Sequence, residues 1–393
     1  MKKICLLFII LLSCKTDTKK TEEVHKPEHI KEESRKLYID YEVDAFSHLQ
    51  KENDLIIRNL EEIIDSRDYK KFWDANDTNY FKLPYVELYS FINRGYPTYQ
   101  PTVIALQKKN NEKYLLKIAM MGAPEGFSSL DAIYNLHVIK NDQGDLVFKN
   151  TFNDNIATWQ QKQYENITYY FDKNRHVNVT NIKKQHEFEN WLVDFFDVEK
   201  VNYKFIVCNN QHQLYKLIGY DYIDSMFFNE QNGGVCYAKD KLLLSANNTA
   251  YNEHELTHLY IYNKFPYIHD IIEEGFATYF GGSLELDYKE HFKILNDYVL
   301  KNDINLIDYL FDEYKRHTII DFTSSVKYSG GALLCSLIYE KQGKEGLFKL
   351  MDSGKSDEEL KHTLRELFEM TMEELNTHLK TELNAIVANQ KSN

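Results

Sequence analysis

The pentapeptide His254-Glu255-Leu256-Thr257-His258 constrains this chain more than any other stretch. On a helix its two histidines fall one turn apart on the same face. Two imidazoles so placed can hold one tetrahedral metal ion, and the glutamate after the first histidine then stands beside the open coordination position as a general base. The flanks favour a helix. Asn247, Asn248 and Thr249 are cap-type residues, Glu253 and Glu255 suit a first turn, and neither Pro nor Gly interrupts Ala250 to Lys264.

Zinc that performs hydrolysis needs a third protein ligand and a free position. A Gly and a His three and six residues beyond the second histidine would supply one pattern, but those places hold Ile261 and Lys264. The run Ile271-Ile272-Glu273-Glu274-Gly275-Phe276-Ala277-Thr278-Tyr279-Phe280 supplies another, in Glu274. Among Ile, Phe, Ala and Tyr, an ionised carboxylate is costly to bury unless it is paired or binds a metal. The plainer alternative leaves Glu273 and Glu274 facing solvent on an amphipathic helix.

H-E-L-T-H followed by E-E-G-F-A-x-Y resembles the gluzincin metallopeptidases, which include thermolysin-like and aminopeptidase N-like enzymes. Tyr328-Ser329-Gly330-Gly331-Ala332 resembles the Y-x-x-G-A segment of the aminopeptidase N-like enzymes. The resemblance spans residues 163 to 388. It implies His254, His258 and Glu274 as zinc ligands, Glu255 as the base and Tyr328 as a donor to the tetrahedral oxyanion. One element is missing. No G-x-M-E-N-like strand precedes the helix, and Gly233-Gly234-Val235-Cys236-Tyr237 carries no such Glu. Specificity for free amino termini is therefore unsupported, and an endopeptidase is at least as compatible. A zinc-retaining, non-hydrolytic surface protein that binds peptides or a partner is the alternative of another class. A closed structural zinc site, with Cys236 as fourth ligand, is a third.

The chain opens with an export-type leader. Lys2 and Lys3 precede an apolar run from Cys5 to Leu12, too short to span a membrane permanently, and Leu11-Leu12-Ser13-Cys14 resembles a bacterial lipobox. That resemblance implies a lipidated Cys14, membrane attachment and a cell-envelope location. Residues 15–42 read as a polar tether. Of the remaining cysteines, Cys208, Cys236 and Cys335 form no metal or redox pair motif. A Cys208–Cys236 bridge is open to them, but small buried hydrophobes is the favoured reading. A formal charge of −13 argues against nucleic acid as a partner.

The expected fold class is α+β, in two domains. From Val43 to Trp73 a helical period runs through Phe46, Leu49, Leu55, Ile56, Leu60, Ile63 and Ile64. A period of two follows at Val103–Leu106, Lys113–Met120, Ala132–Ile139 and Leu146–Phe148. This suggests a small α+β accessory domain over residues 43–160, with an NTF2-like arrangement as one candidate. His137 in its apolar strand reads as a core histidine. Residues 163–390 form the expected metallopeptidase domain, with a mixed sheet, the metal helix and a helical C-terminal part. Its strands are expected at Ile167–Phe171, Tyr203–Val207, Val235 and Leu242–Leu244, its helices at Gln185–Phe196 and Gln211–Ile218. Gly234 to Tyr237 is the expected rim against which a substrate peptide adds as a strand. Ser356-Asp357-Glu358-Glu359 and Thr371-Met372-Glu373-Glu374 read as capping boxes with a structural task only.

Overall fold

A computed structural model describes residues 36–43, 51–95, 97–173, 175, 178–227, 232–320 and 323–390. The expected leader with Cys14 and the expected tether up to residue 35 lie outside the described residues, as do Phe46 and Leu49. The fold is α+β, and the chain divides into two compact units.

The first unit begins with β1 (Tyr38–Ile39), which pairs parallel with β2 and so takes up the last residues of the expected tether. Helix α1 (Lys51–Ser66) buries Ile56, Ile57, Leu60, Ile63 and Ile64. Leu55, expected on that stripe, is exposed instead. Helix α2 (Val86–Asn93) leads into an antiparallel meander of β2 (Tyr99–Asn110), β3 (Lys113–Gly122), β4 (Ser129–Lys140) and β5 (Leu146–Asn150). Along β3, Tyr114, Leu116, Ile118 and Met120 turn inward while Lys113 and Lys117 do not, the period-two signature of a half-buried strand. Helix α3 (Phe152–Ile156) closes this stretch.

The second unit takes over with β6 (Gln160–Tyr164), β7 (Ile167–Phe171), α4 (Val179–Phe196) and β8 (Tyr203–Val207). The chain then makes an excursion that sequence rhythm did not reveal. Helix α5 (Gln211–Leu217) was expected within the metallopeptidase domain, yet residues 212–227, with a strand β9 (Tyr220–Ile223) that was not expected, belong to the first unit. Strand β9 pairs antiparallel with β4, with Ala132 opposite Ile223 and Tyr134 opposite Tyr220. Arg94, itself buried, bonds Asp131 at 2.5 Å and Asp224 at 2.6 Å and ties the excursion down. A buried guanidinium requires such partners.

The second unit resumes at β10 (Gly234–Tyr237) and β11 (Leu242–Ser245). Its sheet has the order β10-β11-β8-β7-β6; β7, β8 and β11 are parallel, and β10 and β6 are antiparallel edges. The central strands are almost continuously apolar, as strands covered on both faces must be. Then follow α6 (Glu253–Lys264), α7 (Asp270–Gly281), α8 (Tyr288–Asn302), α9 (Leu306–Phe311), the short strands β12 (Ile319–Ile320) and β13 (Ser324–Ser325), α10 (Val326–Met351), α11 (Asp357–Phe368) and α12 (Met372–Gln390). One core joins the sheet to these helices, from Ile167, Phe205 and Leu243 through Leu256 and Phe276 to Leu334 and Leu379.

Candidate metal centre

Helix α6 starts after Asn252, whose side chain accepts a hydrogen bond from Glu255 N at 3.0 Å. This cap replaces the expected Asn247 to Thr249. Asn247 instead closes a turn ahead of the helix, accepting from Thr249 N at 3.1 Å. Asn252 is held in turn, because its N–H donates to Gln185 Oε1 of α4 at 2.9 Å. The first turn is thus anchored to a neighbouring helix, and His254 and His258 leave it on one face. Helix α7 is capped by a histidine. His269 Nδ1 accepts from Ile271 N at 3.2 Å, so its Nε2–H donates to Asp357 Oδ1 at 3.0 Å. That cap sets the direction in which Glu273 and Glu274 leave the helix.

The sequence-derived ligands converge. His254 Nε2 and His258 Nε2 stand 3.2 Å apart, and Glu274 Oε2 lies 3.4 Å from the first and 3.5 Å from the second. The other ring nitrogens are engaged from behind. His254 Nδ1–H donates to Gly282 O at 2.7 Å, and His258 Nδ1–H donates to Glu273 Oε1 at 3.0 Å. Both rings are thereby fixed in the tautomer whose Nε2 carries a lone pair. With both rings neutral, as metal ligation requires, three electron-rich atoms face one another with no donor among them, and Glu274 Oε2 is a buried oxygen without a hydrogen-bond partner. A buried acceptor left in this state is costly, and a cation satisfies all three atoms at once. Donor atoms around a tetrahedral cation with bonds of about 2.0–2.2 Å are separated by about 3.3–3.6 Å. The group can therefore hold a metal ion, and it is the one such cluster of His, Cys, Asp and Glu among the described residues. It contains no cysteine: Cys208, Cys236 and Cys335 are buried and in no disulfide.

Burial alone would push the Glu274 carboxyl up, but the Lys327 ammonium beside it leads the influences that hold it well below the usual carboxylate range. Glu255 behaves oppositely. Burial raises its carboxyl; the histidines pull it partly back, and Glu274 and Glu273 push it up. A carboxylate raised toward neutrality is suited to taking and returning a proton.

Two close backbone approaches set the geometry. A Cβ on Gly234 of the edge strand would stand 2.5 Å from Glu255 Cγ, so only glycine lets β10 lie against that side chain. A Cβ on Gly275 would meet Gly331 C at 2.2 Å, and one on Gly331 would meet Ile271 O at 2.2 Å. The backbones of α7 and α10 thus touch, and the first turn of α10 is brought beside Glu274. Ser325 caps α10, its Oγ accepting from Tyr328 N at 3.3 Å. The Tyr328 ring lies nearly parallel to His254, with centroids 5.8 Å apart and planes inclined by 16°.

Two residues of the centre escaped sequence reasoning. Glu273 orients His258, and the acid pair before Gly275 was its only trace. Lys327 is buried beside Glu274, where a lysine is unexpected. Compared with known proteins, the chain matches no family model and no curated protein.

Proposed function

We propose that this protein is a zinc-dependent peptidase of gluzincin type, hydrolysing peptide bonds with water activated at the His254–His258–Glu274 centre. The observation that carries it is the near-equilateral triangle of Nε2, Nε2 and Oε2, with edges of 3.2, 3.4 and 3.5 Å and both imidazoles oriented from behind. Two imidazoles and one carboxylate suit zinc and leave a fourth position open. Bound there, zinc supplies Lewis acidity, making a water acidic near neutral pH and polarising a carbonyl. The protein's own residues supply the proton chemistry. Glu255 takes the proton of the attacking water and returns it to the leaving amine. Tyr328, stacked on His254, offers its phenolic O–H to the developing oxyanion. Strand β10 is an edge of the sheet, with Gly234 against Glu255, and an extended peptide would add beside it as a further strand. The Leu11–Cys14 segment supports export and lipid attachment at Cys14, which would keep this activity at the cell envelope.

Metal analysis paired with peptide-library cleavage, wild type beside Glu255→Gln, tests the proposal. One zinc in both and cleavage only by the wild type is expected. No zinc in the wild type would end it, and zinc in both with cleavage by neither would point to a peptide-binding role.

A further inference from the structure

Lys327 sits where a lysine is least comfortable. Its side chain is only 4% exposed, and it lies in the first turn of α10, where the helix dipole disfavours a cation. Burying an ammonium in such a place is costly unless anions face it. Two do, both from α7 and one turn apart. Lys327 Nζ is 3.6 Å from Glu274 Oε1 and 3.7 Å from Asp270 Oδ2. Asp270 is steadied from its other side by Arg316, whose Nη1 lies 3.5 Å from Oδ1, and Arg316 in turn grips Asp357 at 2.9 and 3.1 Å. A row of alternating charges, Glu274–Lys327–Asp270–Arg316–Asp357, therefore ends at a metal ligand. The two oxygens of Glu274 are divided between tasks: Oε1 faces the ammonium, and Oε2 faces the two imidazoles.

We infer that Lys327 is a positioning residue for the metal-ligating carboxylate of Glu274, holding it to one-oxygen ligation and offsetting its charge. The inference rests on the metal centre proposed above. A carboxylate with both oxygens free can chelate a cation through both, which fills coordination space that water and substrate need. With Oε1 turned to Lys327, only Oε2 is offered. The ammonium also withholds electron density from the cation, which binds less tightly but stays more electrophilic. Lys327 thus exchanges affinity for reactivity, opposite to what a mere structural prop would do.

The sign of the effect makes it testable. Zinc affinity of the full chain is measured by competition with a chromophoric chelator, and the cobalt-substituted protein is read by its visible spectrum, which weakens as coordination rises from four to five. The Lys327→Met variant is expected to bind zinc about tenfold more tightly, because a cation has been removed beside the site. Its cobalt spectrum should weaken, and Lys327→Arg should restore both values. Asp270→Asn removes an anion beside the same lysine, so it should bind zinc several-fold more weakly with an unchanged cobalt spectrum. Parallel losses of affinity in Lys327→Met and Asp270→Asn would overturn the inference, as would variants indistinguishable from wild type. Should Lys327→Met fail to fold, Lys327→Arg and Asp270→Asn decide: a weakened spectrum in the first, or unchanged or tighter binding in the second, overturns it. A wild type that binds no zinc would instead defeat the peptidase proposal, on which this one stands.

Discussion

Glu273 and Glu255 carry like charge beside the same histidines yet are predicted to fail in opposite ways. Glu273 accepts from His258 Nδ1–H at 3.0 Å and would act on a bound metal only through that ring. Its replacement by Gln should weaken zinc binding about 10- to 100-fold, as loss of an orienting partner does, measured by chelator competition. Glu255→Gln should leave metal content unchanged and remove turnover. His254→Ala and His258→Ala should lose the metal itself, and Tyr328→Phe should keep it while losing about 100- to 1000-fold in kcat. Metal loss on Glu255→Gln would sink the assignment of roles. The candidate ligands were legible in the sequence because a helical repeat puts His254 and His258 on one face without help from the rest of the chain. Glu274 was legible because an acid in an apolar run demands a partner. Glu273 and Lys327 were not, since their roles arise from contacts between α6, α7 and α10 that no local pattern encodes.

Between elements, glycine decides how near the chemistry can be assembled. The α7–α10 contact at Gly275 and Gly331 leaves no room for a methyl group on either side, with backbone atoms 2.2 Å from each ideal Cβ. Gly331→Ala should therefore push the helices apart, costing about 1–3 kcal/mol of stability as overpacked sites do. It should also draw Tyr328 and Lys327 away from Glu274, so activity should fall further than stability explains. Activity retained beside a lowered melting temperature would show that this crossing does not position the site. At the start of α6, Asn252→Ala should cost about 1 kcal/mol by chemical denaturation. Helix starts fixed by local chemistry were readable. Glu374 N bonds Thr371 Oγ1 at 3.2 Å and Thr371 N bonds Glu374 Oε2 at 2.8 Å, and a matching box joins Ser356 to Glu359. The start of α6 was not, because Gln185, distant in sequence, selects Asn252 from a stretch rich in cap residues.

At the scale of the molecule, the strand pattern gave the meander of the first unit, while the return of residues 212–227 to it stayed hidden. That return depends on the pairing of β9 with β4 and on Arg94 reaching Asp224, both long-range choices. Two units with separate cores should unfold in two steps that answer to different ligands. The proposed zinc site lies within the unit containing α6 and α7, so zinc at about 100-fold excess over Kd should stabilise that step by about 2.7 kcal/mol and leave the other unmoved. Protons act on the other through His137. Burial and the nearby Lys113 lower its imidazole to about 4, although Asp154 Oδ2 lies 2.9 Å away. A lowered pKa means the folded state holds this ring neutral while the unfolded chain takes up a proton below about 6.5. Its contribution is therefore complete above about pH 6.5 and fades as the pH falls toward 4, by up to about 3 kcal/mol. Calorimetry across that window should show the first unit's transition falling, and His137→Gln should flatten the fall without touching the zinc response of the second. A single transition moved by both zinc and acid would mean that the two units unfold as one.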